Sequence, residues 1–187
     1  MLRLILIRHG DILRPSTANF DEAHLSELGK QQMRDLAANW SHPKPDQVYS
    51  STLPRAIESG WFLVEAFGGS LRVLEDFREW SPSKADITEE QYLALEEKCW
   101  KDHDLEFDTA ESINEATKRV KRGIWRVVGE MRQGTAVVVS HGMILTMFIA
   151  SLKGEKPDIE YKRKILNGAQ AVVEYEEASF RIVKEFF

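Results

Sequence analysis

Three consecutive valines, Val137-Val138-Val139, sit in a short run that opens at Ala136, closes at Ser140 and is bounded by Gly134 and Gly142. An apolar run this short, with no polar alternation, marks a strand buried on both faces, the kind found at the centre of a parallel sheet. Parallel neighbours must be joined by crossovers, usually helices, so such a strand implies helical layers covering the sheet. The beginning of the chain repeats the pattern. Residues 2–7 form a Leu/Ile-rich run that leads directly into Arg8-His9-Gly10, as the valine strand leads into Ser140-His141-Gly142.

The intervening segments supply the helices. Residues 26–40 carry helical apolar spacing (Leu28, Met33, Leu36, Ala37) and are closed off by Pro43 and Pro45. Residues 48–50 form a short strand, and Pro54 then opens a helix that runs to Gly68-Gly69. A third strand is expected at 71–74. A long helix starts at Ser112, whose spacing to Glu115 is that of a capping box, and ends near Met131. Another helix covers 143–151. Strands at 171–175 and 180–186 flank a turn at Glu177 and Ala178. The expectation is an α/β chain: a three-layer α/β/α sandwich whose central sheet is mostly parallel with antiparallel edge strands. Residues 1–187 read as one domain. Residues 81–110, rich in Glu and Lys, read as a polar surface insertion with a short helix opened by Thr88 and Gln91.

A formal net charge of −5 and a pI near 5.6 argue against nucleic acid or a membrane surface as partner. No stretch has transmembrane length, and the apolar opening is too short for a secretory signal. Cys99 is the single cysteine, so no internal disulfide forms and a cytoplasmic location is expected.

The chemistry lies where strands end. Ligands of open α/β sheets gather beyond the carboxyl ends of the strands, so His9 and His141 are expected to meet in one cleft. Ser50-Ser51-Thr52-Leu53-Pro54-Arg55-Ala56 also leaves a strand and enters a helix, delivering Arg55 to the same edge. Two arginines and two histidines suit a phosphoryl group, because guanidinium forks match its oxygens and stay charged at any working pH. No H-x-x-x-H or H-x-D spacing joins the histidines, so no metal and no cofactor is expected. His24 and His42 read as surface residues, and His103 falls in the polar insertion. Arg14, Lys84 and Lys162-Arg163-Lys164 are candidates for the distal charge of a substrate, although the lysine-rich run reads more simply as a solvated face. Asp11 reads as a contact to the loop after His9 or, more simply, as the N-cap of a following turn.

These motifs resemble the histidine phosphatase superfamily, the phosphoglycerate mutase-like family. Leu6-Ile7-Arg8-His9-Gly10-Asp11 resembles its signature, Ser50 to Ala56 its S-S-P-L-x-R-A segment, and Val138-Val139-Ser140-His141-Gly142 its second histidine motif. Leu25-Ser26 with Gly29 and Gln32 is similar to its L-T-x-x-G-x-x-Q stretch, and Glu111-Ser112 to its G-E-S, with Ala110 in place of the glycine. The matches occur in family order from residue 2 to about residue 150.

The resemblance implies a metal-independent phosphatase that hydrolyses phosphate monoesters of small metabolites through a phosphohistidine at His9. Arg8, Arg55 and His141 would hold the phosphoryl group. Phe77-Arg78-Glu79-Trp80 resembles the family's acid segment, which makes Glu79 the expected proton donor, with Glu75 and Asp76 as rivals. Ser16, Thr17 and Asn19 are candidates for a further phosphate ligand. The alternatives are a phosphoglycerate mutase-like phosphotransferase, a protein phosphohistidine phosphatase and a non-catalytic binder of a phosphorylated ligand.

Overall fold

The computed structural model describes residues 1–14, 20–83, 85, 87–107 and 110–186. Their strands are β1 (Leu2–Arg8), β2 (Gln47–Ser50), β3 (Leu71–Val73), β4 (Gly134–Ser140), β5 (Gln170–Glu176) and β6 (Ser179–Lys184). The helices are α1 (Glu27–Ala38), α2 (Pro54–Phe67), α3 (Glu89–Lys101), α4 (Ile113–Met131), α5 (Gly142–Lys153) and α6 (Ile159–Lys164), with a 3-10 turn at Glu75–Phe77. The strands form one sheet in the order β3-β2-β4-β1-β5-β6. The first four in that order are parallel, while β5 and β6 are antiparallel to their neighbours.

Both antiparallel strands lie on the same side of the sheet, whereas β3 ends the other side in parallel register. The cause is local. β5 and β6 form a hairpin whose turn residues Glu177 and Ala178 take φ of 50° and 62°, so β6 can only follow β5 to its own edge.

The pleat of β1 divides the core. Leu2, Leu4 and Leu6 pack with Ala136 and Val138 against α4 and α5, where Val120, Ile124, Met147 and Phe148 are fully covered. Ile5 and Ile7 pack with Val137 and Val139 against α1 and α2, through Met33, Ala56 and Leu63. The three-layer arrangement therefore follows from alternation along two strands that carry apolar residues on both faces.

This division also creates the crevice. The chain leaves β1 towards α1 on one face, and leaves the adjacent β4 towards α5 on the other. Neighbouring strands whose connections part to opposite faces open a cleft at their carboxyl ends. Among the described residues, no helix is long and apolar enough to cross a membrane.

Candidate active site

Register brings the two histidines together. Arg8 is paired with Ser140 across β1 and β4, and the His9 N–H donates to the Ser140 carbonyl at 3.0 Å. His9 and His141 thus leave the sheet side by side, with ring centroids 5.0 Å apart. Ser50 is paired with Val139, so β2 ends at the same level, and Pro54 then starts α2 with Arg55 in its first turn. Arg8, His9, Arg55 and Glu79 line a cavity of about 530 Å3. His141 is fully buried beside His9.

The hydrogen bonds settle which nitrogen of His9 carries the proton. Nδ1 lies 2.7 Å from the Gly10 carbonyl, which can only accept, so Nδ1 is protonated. Nε2 accepts from the Arg55 Nε–H at 3.2 Å and keeps its lone pair. Burial, and then the charge of Arg55, hold the imidazole well below its ordinary pKa; the Gly10 bond works against this and Arg8 adds to it. His9 is therefore a neutral imidazole with its bare nitrogen facing a guanidinium.

His141 is held from one side only. Its Nε2 lies 2.6 Å from the Ser51 hydroxyl, which also accepts the Leu53 N–H. Its Nδ1 is buried without a hydrogen-bond partner among the described residues, as is Nε of Arg8. Burial, then the charges of Arg55, His9 and Arg8, push the His141 pKa well down. Two buried nitrogens that lack a partner, set beside His9, are what an anion's oxygens would satisfy.

Glu79 sits at the start of α5. Its Oε2 accepts from the Met143 N–H at 3.2 Å, and its Oε1 from the N–H groups of Ile144 and Trp80 at 3.1 and 3.0 Å. These bonds and the charge of Arg55 favour the carboxylate, but burial outweighs them and the pKa is raised. Trp80 therefore stabilises the charged form through its N–H while its buried ring helps to desolvate the site. The rivals have other partners: Glu75, although it also lines the cavity, accepts from Thr52 Oγ1 at 2.6 Å, and Asp76 pairs with Arg122 at 2.8 Å. The acid segment is fixed at both ends. Ser140 Oγ donates to the Phe77 carbonyl, and Arg119 donates to the carbonyls of Asp76 and Arg78 while it grips Glu111.

The loop after His9 is clamped by α1. The Asp11 N–H donates to Gln32 Oε1 at 2.8 Å, and Ser26 Oγ donates to Asp11 Oδ2 at 2.6 Å. A Cβ on Gly29 would lie 2.0 Å from the Asp11 carbonyl oxygen. Asp11 is thus a tether to α1 and not the cap of a turn. From the other side, Asn167 Nδ2 donates to the His9 carbonyl and the Gly168 N–H to that of Arg8.

The model of the histidine phosphatase superfamily (branch 1) matches residues 4–186. The chain belongs to this superfamily. Phosphoserine phosphatase 1 of Hydrogenobacter thermophilus is 28% identical over 194 residues, covering 98% of this chain and 92% of that protein. A Bacillus subtilis protein named uncharacterized phosphatase PhoE is 22% identical over 185 residues, covering 97% of this chain and 93% of that protein. YhfR of Bacillus stearothermophilus has the same fold, with a TM-score of 0.82 at 18% identity over 99% of this chain and 96% of that one.

Within this histidine phosphatase-superfamily chain, the other candidates divide. His24 pairs with Glu58, and His103 packs edge-on against Trp100, so neither joins the cleft. Ser16, Thr17, Asn19 and Lys84 lie outside the described residues. Arg14 lines the cavity. So does Lys162, which the solvated-face reading of its run excluded, while Arg163 is exposed beside Glu160. The polar insertion is also more than surface. Its α3 runs for 13 residues behind a complete Thr88–Gln91 capping box, and Tyr92 and Glu96 of that helix line the cavity.

Proposed function

We propose that the chain hydrolyses phosphate monoesters of small metabolites through a phosphohistidine at His9. One observation carries this reading: Nε2 of a neutral, buried His9 is bare and turned towards Arg55. A phosphoryl oxygen entering the cleft takes over the Arg55 donor and frees the nitrogen lone pair to attack phosphorus. Arg8 and Arg55 neutralise the equatorial oxygens, and the unpartnered Nδ1 of His141 supplies a further contact.

In the first step the Nε2–P bond forms and the P–O bond to the alcohol breaks. Glu79, protonated, gives its proton to the departing oxygen. The phosphohistidine keeps its Nδ1 proton, and the Gly10 carbonyl offsets the charge that develops on the ring. In the second step a water gives a proton to the Glu79 carboxylate and attacks phosphorus. The P–N bond breaks, releasing inorganic phosphate and neutral His9. Every residue of the scheme is supplied by the chain, with no metal or cofactor in any step.

The reading treats residues 1–187 as one catalytic unit in which the 81–110 segment walls the substrate cavity. A cytoplasmic location accompanies it, supported by the lone buried Cys99. The name of the H. thermophilus relative, phosphoserine phosphatase 1, supports hydrolysis, whereas several other relatives are named probable phosphoglycerate mutases. Phosphate release from an aryl phosphate and from alkyl phosphate esters, by wild type and His9→Ala, tests the proposal. Turnover that is lost in His9→Ala is expected; undiminished turnover in that variant would falsify it.

A further inference from the structure

Glu96 is 8% exposed, and its Oε1 is buried with no hydrogen-bond partner among the described residues. It stands on α3 and lines the same cavity as His9. Among the described residues its ion-pair partner is Lys162 on α6, whose Nζ lies 3.9 Å from Oε1, beyond hydrogen-bond range. Lys162 lines the cavity too. The wall thus presents one carboxylate and one ammonium side by side, close enough to hold each other electrostatically yet with hydrogen-bonding capacity left on both.

An uncompensated buried carboxylate oxygen is costly, and a structural ion pair normally closes to direct contact to offset that cost. A ligand carrying the mirror image of the pair, an ammonium against Glu96 and a carboxylate against Lys162, satisfies both groups at once. Lys162 stands near the reacting centre, and Tyr92, one helical turn before Glu96, lines the same cavity as His9 and Arg55. The stem of Lys162 also runs past Gly142, close to Arg8. A small molecule with its phosphate at His9 therefore reaches the pair.

The geometry points to Glu96 and Lys162 as the residues that select the substrate, by reading the ammonium and the carboxylate of a phosphorylated amino acid. This rests on the phosphomonoesterase reading and adds the substrate class to it. A sugar phosphate, or an acid phosphate lacking the amine, leaves Glu96 unsatisfied. It should be rejected because a buried carboxylate is then desolvated with nothing in return.

The test compares three phosphate esters that differ by one charge: O-phospho-L-serine, 3-phosphoglycerate (hydroxyl for ammonium) and O-phosphoethanolamine (no carboxylate). In wild type, kcat/KM for O-phospho-L-serine should exceed that for each of the others at least about tenfold. In Glu96→Gln the ratio of O-phospho-L-serine to 3-phosphoglycerate should fall at least about tenfold. In Lys162→Met the ratio of O-phospho-L-serine to O-phosphoethanolamine should fall instead. Unchanged ratios in both variants would make the pair purely structural and overturn the inference, as would a wild type that prefers 3-phosphoglycerate. Calorimetric binding of the three esters to His9→Ala reads the same ratios without turnover. The selectivity can therefore fail while the phosphohistidine chemistry stands, and the reverse.

Discussion

Arg55 donates its Nε–H to Nε2 of His9, the nitrogen left bare because the other nitrogen gives its proton to the Gly10 carbonyl. One guanidinium thereby does two things to one imidazole. It orients the lone pair into the cleft, and its charge, after burial, is the largest force keeping the ring unprotonated. The same group is placed to receive a phosphoryl oxygen, so binding of substrate and release of the nucleophile are a single exchange of hydrogen bonds.

Substitutions at Arg55 separate these roles. Arg55→Met removes both the fork and the charge. Its kcat/KM should fall by about 10²–10³, the usual cost of one donor aimed at developing charge. His9 should then protonate more easily, so the acidic limb of the pH profile of kcat/KM moves to higher pH. Arg55→Lys keeps the charge without the fork, and its limb should stay nearer to the wild-type position. A limb in Arg55→Met that coincides with wild type would show that Arg55 does not govern the His9 proton.

Glu79 should reveal itself through the leaving group. Its raised pKa keeps a fraction protonated above the ordinary carboxyl range, and that fraction shrinks as pH rises through the pKa of the folded protein. For an alkyl phosphate the activity of wild type should fall along an alkaline limb with that pKa. Glu79→Gln should lose about 10²–10⁴ in kcat/KM on the alkyl ester and far less on an aryl ester, whose phenolate leaves without help. The alkaline limb owed to the residue should vanish with it. Equal losses of kcat/KM on the two esters would show that Glu79 does not protonate the leaving group.

Much of this site could be read from the chain because it is built where strands end. Arg8-His9-Gly10 and Ser140-His141-Gly142 each follow a largely apolar run, broken before Arg8 only by Arg3, and only the sheet order was needed to bring them together. The Gly29 and Gln32 motif was legible only as a resemblance, since nothing in its spacing shows that it clamps the Asp11 loop from another helix. Glu96 was hidden by composition. Residues 81–110 are polar enough to read as surface, yet Tyr92, Glu96 and Cys99 recur at helical spacing on the side of α3 that faces inward. Asn167 and Gly168 carried a turn signal, an Asn-Gly pair with φ of 76° at the glycine, but not its target at the end of β1.

Ser51 supports His141 from behind the reacting groups. Its hydroxyl lies 2.6 Å from His141 Nε2 and accepts the Leu53 N–H, and both partners are buried. Ser51→Ala leaves two buried polar groups unmatched, so stability to urea should fall by about 1–3 kcal/mol. The ring also loses the contact that fixes its orientation. Affinity for phosphate or vanadate should therefore weaken in the folded variant, whereas Ser51→Thr should restore part of it. Unaltered vanadate affinity in a destabilised Ser51→Ala protein would show that His141 takes no part in holding the anion.

The two buried histidines make the fold sensitive to acid, and the sign is fixed by their depressed pKa values. Below about pH 6.5 the unfolded chain protonates both imidazoles while the folded protein binds neither proton. Unfolding thus takes up protons, and stability falls with decreasing pH by up to about 1.4 kcal/mol per pH unit for each histidine. Glu79 acts in the opposite direction. Between its unfolded and folded pKa values the folded state holds the extra proton, so its contribution to stability is full at lower pH and fades as pH rises. Urea unfolding of wild type between pH 4.5 and 7 should show the histidine slope, and His9→Asn should remove about one histidine's share. A slope that persists in full in His9→Asn would place the acid sensitivity elsewhere.

Gly29 tests whether the clamp on the nucleophile loop matters to chemistry. A Cβ there would overlap the Asp11 carbonyl at 2.0 Å, and one on Gly10 would meet the Gly29 carbonyl at 2.6 Å. Backbone faces backbone at both points, so neither clash is relieved by a side-chain rotation. Gly29→Ala must push α1 away from residues 9–11. That movement stretches the Gln32–Asp11 bond and shifts the Gly10 carbonyl that fixes the Nδ1 proton of His9. Overpacking of this kind costs about 1–3 kcal/mol of stability. The more telling readout is kcat at saturating substrate in the folded variant. It should drop by about tenfold or more, since small misplacements of a reacting group are amplified in rate. Gln32→Ala removes the hydrogen bond without the clash and should lower kcat less. If Gly29→Ala loses stability but keeps wild-type kcat, the clamp serves the fold alone and His9 holds its geometry without it.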